Sequence, residues 1–172
     1  KDSLRMQEIK IRIGLNLLNV MEQKAETFID KQLKEWELAA KNHRELKQAK
    51  VKKENIGEFN VKVQFNPARM ASATAKTDEQ STKERPCFLC KKNQPKEQKR
   101  MSITSDLDLC INPYPILPRH LTLVAKKHKP QTVDTMLNNY TNPYAYISED
   151  YALFYNGPLC GASAPDHAHL QA

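Results

Sequence analysis

The stretch Tyr155-Asn-Gly-Pro-Leu-Cys-Gly-Ala-Ser-Ala-Pro-Asp-His-Ala-His-Leu-Gln171 decides how this chain folds. It reads as the end of a strand, a loop of small residues, and a second strand carrying His167, His169 and Gln171. Side chains on a strand repeat every two residues, so these three share one face and Ala168, Leu170 and Ala172 take the other, apolar one. Imidazole is a nucleophile toward phosphorus, and a neighbouring carboxamide can hydrogen-bond phosphoryl oxygens. Three polar side chains on one strand face therefore suit phosphate chemistry. A polar edge strand with two incidental histidines is the plainer alternative.

The totals narrow the class. A chain of 172 residues holds one domain, or one domain and an extension. Charged residues make up 27% and mean hydropathy is −0.70, which fits a water-facing protein. No run approaches the roughly 20 apolar residues of a membrane span. Lys10 and Arg12 interrupt the apolar-rich N-terminal run, so it is not a signal peptide, and a cytoplasmic location is expected. A net charge of +7 suits anionic ligands, or is simply a lysine-rich solvated surface. The lysines lack interleaved aromatics, so a nucleic-acid partner is not expected. Cys87 and Cys90 stand at C-x-x-C spacing, which points to metal binding or redox use, with two packing cysteines as the bland reading. Cys110 and Cys160 read as small packing residues.

Alternation over residues 7 to 17 predicts a strand, although its leucine-rich end could equally enter a helix. Ile29, Leu33, Trp36, Ala40 and His43 then line one face of a helix within 22 to 50. Residues 47 to 53 read as a basic helix end or linker. Phe59 to Phe65 alternates as a half-buried strand, closed by the turn residues Asn66 to Arg69. Residues 71 to 84 read as a loop, and 91 to 100 as a charged loop. Leu107 to Asn112 and Arg119 to Ala125 are strands. Pro130 suits the first turn of a short helix to about 139, and Tyr151 to Tyr155 is a further strand. The fold class is α+β.

The segment GPLCGASAPDHAHLQ resembles the active-site loop and strand of the histidine-triad superfamily. The likeness is to the branch whose motif ends in Gln, which holds galactose-1-phosphate uridylyltransferase, diadenosine tetraphosphate phosphorylase and GDP-L-galactose phosphorylase. Asn112-Pro113, followed by Arg119-His120-Leu-Thr-Leu-Val-Ala-Lys-Lys-His128, resembles a second signature of that superfamily. Arg119 stands where it usually has Gly, and Ala125 where it has Pro. Together the two signatures cover about residues 60 to 172.

The resemblance implies an antiparallel sheet with flanking helices over 56 to 172, preceded by a strand and helix extension over 1 to 55. It implies that His169 takes up a nucleotidyl group covalently while Gln171 holds the phosphoryl oxygens. Asn112 becomes a candidate nucleotide contact, or only a turn former before Pro113. Arg69 becomes a candidate phosphate ligand, or only a solvated arginine. Backbone amides from Gly157 through Gly161 to Ser163 would approach phosphate, with Asn156 and Ser163 adding side-chain donors. Relatives also place two histidines with such a C-x-x-C pair, so Cys87, Cys90, His128 and His167 would hold a structural Zn²⁺. Zinc on His167 would steady the strand beside His169.

The expected function is a nucleotidyltransferase or phosphorylase acting on a nucleotide sugar or dinucleoside polyphosphate. A non-catalytic nucleotide-binding or regulatory domain with a structural zinc is the alternative. Relatives often dimerise, so a homodimer is an expectation. Relatives also continue with further strands and helices beyond the motif Gln. A chain that starts without Met and stops at Ala172 therefore reads as processed, truncated, or half of a longer protein.

Overall fold

The computed structural model describes residues 20, 22–135, 147 and 150–172. The strand read over 7 to 17 and the last residues of the helix read to 139 lie outside them. Helix α1 spans residues 22–35 and α2 spans Glu37–Leu46, with a break at Trp36. Ile29, Trp36 and Ala40 are buried, as their spacing predicts, and the Trp36 ring enters the core at the break.

A hairpin follows: β1 (Lys50–Ile56) pairs antiparallel with β2 (Phe59–Phe65). This corrects the reading of 47 to 53. Its lysines suggested a helix end, but from Lys50 onward they sit in a strand. A two-residue loop closes the hairpin, with Gly57 at φ +60, a backbone angle that glycine adopts at little cost. It pairs residues on both sides of the 55/56 boundary expected between extension and domain. The half-buried reading of β2 also fails: Phe59 is 75% and Phe65 62% exposed, because the hairpin pairs with no other strand of the described sheet.

Residues 71 to 84 are not the featureless loop their composition suggested. Helix α3 (Met70–Ala73) continues a 3-10 turn at Pro67–Arg69, and α4 (Glu79–Glu84) starts on an Asp78 side chain that accepts from the Ser81 N–H. A second 3-10 turn, Lys91–Asn93, follows the C-x-x-C pair.

The core sheet is antiparallel, in the order β3 (Met101–Ser102), β4 (Leu107–Ile111), β5 (Leu121–Ala125), β6 (His169–Gln171). Every residue of β4 and β5 is buried on both faces. One face packs Leu107, Leu109, Leu121, Leu123, Ala168 and Leu170 into the main core with Ile29 and Trp36 of the helices. The other is polar and carries the site. The architecture is α+β: helices and an antiparallel sheet, as expected.

Two further readings are corrected. Tyr151 to Tyr155 makes only one bridge, Phe154 with Gln171, because Gln131 occupies the edge of β6 that a longer strand would need. The short helix after Pro130 begins at residue 133, not at Pro130, since Thr132 caps it through its bond from the Thr135 N–H.

Candidate active site and metal centre

The polar face of the sheet floors a cavity of about 380 Å³. Cys110, Thr122 and Gln171 are cross-strand neighbours on β4, β5 and β6 and form that floor. His169 joins Gln171 on the β6 side, and Arg69 and Ser72 close the cavity from the turn and α3.

His169 is 5% exposed. Its Nδ1 lies 2.8 Å from the carbonyl oxygen of His167. A carbonyl only accepts, so Nδ1 carries the proton and Nε2 keeps a lone pair. Among the described residues Nε2 has no hydrogen-bond partner. Burial lowers the pKa of this ring and so favours its neutral form.

Three residues that the sequence reading assigned no role hold this arrangement, although His120 stood in the second signature. Gln131, fully buried, accepts from the His169 backbone N–H at 2.7 Å and donates to the His169 carbonyl at 3.0 Å. Its amide also reaches the Asn156 carbonyl at 2.9 Å. His120 donates through Nε2 to the Gln171 side-chain oxygen at 2.8 Å, while its Nδ1 accepts from the Ile116 N–H. Burial pushes the His120 pKa down to about 4. Arg85 donates to Ser163 O and Asp166 and lies 3.9 Å over the Phe88 ring, joining the C-x-x-C segment to the histidine loop. The contacts of Gln131 with His169, of His120 with Gln171 and of Arg85 with Ser163 have no local signal: each joins residues 38 or more apart in the chain.

The other candidate residues divide. Asn112, Asn156, Gly161, Ser163 and Arg69 line the cavity, and Gly157 does not. The Asn112 side chain accepts from the Tyr114 N–H, so the turn-forming reading holds alongside its place on the wall. Gly161 has φ +88, which an L side chain rarely adopts. Ser163 Oγ is 3.1 Å from Ser72 Oγ across the rim. Arg69 Nε is buried without a partner among the described residues, a cost that an anion in the cavity would remove. Cys110 is buried as expected, but Cys160 is exposed and packs into no core, because the loop carrying it stands clear of the sheet.

His167 faces a different centre. Its Nε2 donates to Ala125 O at 2.8 Å, which leaves Nδ1 bare. That nitrogen is 3.3 Å from Cys87 Sγ and 3.6 Å from Cys90 Sγ, and His128 Nδ1 is 3.3 Å from Cys90 Sγ. The four ligand atoms lie within 4.8 Å of one another. Sulfur and nitrogen bound to one tetrahedral zinc are separated by about 3.6 Å, so the cluster can hold a metal ion. Burial pushes the Cys87 thiol up to about 12, so a thiolate there needs a cation beside it.

An antiparallel-sheet domain with a Cys₂His₂ cluster abutting a bare imidazole in a cavity defines the class. The chain belongs to the family described as Domain of unknown function (DUF4922), whose model matches residues 28–172. A search of curated proteins finds no match. Among solved structures, yeast Ap4A phosphorylase in complex with AMP is 22% identical with a TM-score of 0.41, over 81% of this chain and 48% of that one. A second structure of that enzyme gives 22% and 0.42, over 78% and 48%. The chain thus spans about half the length of these structures. None of the described helices is long and apolar enough to cross a membrane.

Proposed function

We propose that this domain is a nucleotidyltransferase or phosphorylase that carries a nucleotidyl group on His169. The observation behind the reading is the 2.8 Å bond from His169 Nδ1 to the His167 carbonyl, which leaves Nε2 unprotonated on the cavity side. In the first step Nε2 attacks the α-phosphorus of a nucleotide sugar or dinucleoside polyphosphate. The P–N bond forms as the bond from phosphorus to the leaving oxygen breaks, and the leaving group departs with its electron pair. The Nδ1 proton, shared with the His167 carbonyl, stabilises the charge that develops on the ring. In the second step phosphate or a sugar phosphate attacks the same phosphorus and frees Nε2.

Gln171 assists because His120 holds its oxygen, leaving the NH₂ group to donate to the phosphoryl oxygens. Arg69, Ser163 and the backbone around Gly161 complete the anion-binding wall. We assign zinc as the ion that Cys87, Cys90, His128 and His167 would hold, since two thiolates and two imidazoles suit it best. With four protein ligands its part is structural: bound there, it fixes His167 and so the carbonyl on which His169 leans.

The test is turnover of a panel of dinucleoside polyphosphates and nucleotide sugars with phosphate as acceptor, comparing the full chain with His169→Gly. Activity that disappears in a folded variant supports the reading. Activity that survives removes it.

A further inference from the structure

The cavity has a second end, built by the segment after the C-x-x-C pair. Gln98 and Asn93 both line it, and each is tied by its NH₂ group to a backbone carbonyl: Gln98 to Ile111 O at 3.3 Å, Asn93 to Cys87 O at 2.9 Å. A carbonyl partner accepts only, so the orientation of both carboxamides is fixed with their own oxygens turned away from it. Neither oxygen has a hydrogen-bond partner among the described residues. Both are acceptors waiting for donors.

The position of Gln98 is also fixed. Gln98 is bonded to β4, whereas His169 and Gln171 are on β6. Cys110 pairs with Thr122, and Thr122 with Gln171, so two strand spacings, about 10 Å, separate the two ends. That is comparable to the reach of a mononucleotide from its 5′ phosphorus to the outer edge of its base. Trp36, Leu38, Phe88, Leu89 and Pro95 supply apolar walls to the same cavity. The segment is held rigidly, because buried Gln32 donates to Glu97 O and accepts from the Lys99 N–H.

We propose that this end is a base subsite, that Gln98 and Asn93 are its specificity-determining residues, and that it selects an amino-bearing base. Adenine and cytosine each offer two hydrogens on the exocyclic nitrogen, and guanine offers N1–H beside its 2-amino group. Uracil and hypoxanthine present one edge N–H each and would leave one carboxamide oxygen unpaired against a ring carbonyl. The proposal rests on the nucleotide reading of the cavity given above.

The experiment titrates the full chain with GMP, AMP and CMP, and with IMP and UMP as the bases lacking an amino group, by calorimetry, and repeats it with Gln98→Met, which keeps the length and removes the acceptor. At least one of GMP, AMP and CMP should bind about tenfold more tightly than IMP and UMP, and that one identifies the base. The variant should shrink the gap while leaving UMP affinity within about twofold. Equal affinities, a preference for UMP or IMP, or equal weakening of all the ligands in the variant would overturn the base subsite while leaving phosphate handling at His169 intact. No binding of any of them would overturn both. The wild-type ranking alone decides the matter if the variant does not fold.

Discussion

His120 and Gln171, fifty-one residues apart in sequence, meet in a buried bond of 2.8 Å from ring Nε2 to side-chain oxygen. The Ile116 N–H occupies the other ring nitrogen, so the ring is locked in one tautomer and the Gln171 amide in one orientation. The donating end of Gln171 is therefore presented to the cavity before substrate arrives.

Replacing His120 by Phe frees that amide to rotate. The expected result is a fall of about tenfold or more in kcat with KM little changed, since the lost contact matters most as charge builds on the phosphoryl group. His120→Asn, which retains a donor, should recover part of the rate. Steady-state kinetics on both variants checks this, and a change confined to KM would contradict it.

The same ring makes folding pH-dependent. Burial, with Arg69 and His43 nearby adding repulsion, holds His120 at about 4, although its bond to Gln171 works the other way. In the unfolded chain it titrates near its ordinary value of about 6.5. Between these values the unfolded state binds a proton that the folded state refuses. The stabilisation is thus complete above about pH 6.5 and lost as pH falls toward 4, by roughly 3 kcal/mol in all. Denaturant midpoints at pH 7.5 and 4.5 should differ less in His120→Gln than in wild type. An identical pH dependence in the two proteins would refute it.

Gln131 acts on the backbone of His169 rather than on its ring. Gln131→Leu leaves the His169 N–H and carbonyl and the Asn156 carbonyl without this partner, which should cost about 3 kcal/mol of stability and lower kcat. Gln131→Glu keeps the acceptor and loses the donor, so it should fall between. Urea denaturation orders the three proteins, and a Leu variant as stable as wild type would contradict the clamp.

The core strands were legible because Leu107, Leu109, Leu121 and Leu123 alternate, and alternation is what packing against helices demands. The C-x-x-C pair and the His-x-His-x-Gln run were legible from spacing. The strand at Lys50–Ile56 was not, because Lys-Val-Lys-Lys-Glu-Asn-Ile carries no regular apolar period, and an exposed hairpin does not require one of both its strands. Its available signal was Gly57-Glu58 between two runs. His120 was legible only as a member of the second signature, and Gln131 and Arg85 carried no role, because a polar residue is recruited by a partner that only the fold brings close. Tyr151 to Tyr155 is apolar and aromatic like a buried strand, but the edge it would pair with is already taken by a side chain.

The metal centre should support both the fold and the chemistry. Cys90→Ser, or chelation of the wild type, should release one equivalent of zinc by elemental analysis and lower stability by roughly 3 kcal/mol or more. With His167 no longer fixed, turnover should fall as well. A protein isolated without zinc, and unchanged in melting temperature by chelator, would contradict this centre.

The central claim is that His169 accepts a nucleotidyl group, and intact-protein mass spectrometry after brief incubation with a nucleotide substrate in the absence of acceptor tests it most directly. The expected spectrum shows the chain heavier by one nucleotidyl group, labile to mild acid, discharged by added phosphate, and absent from His169→Gly. A wild-type chain of unchanged mass, while substrate is nonetheless consumed, would contradict it.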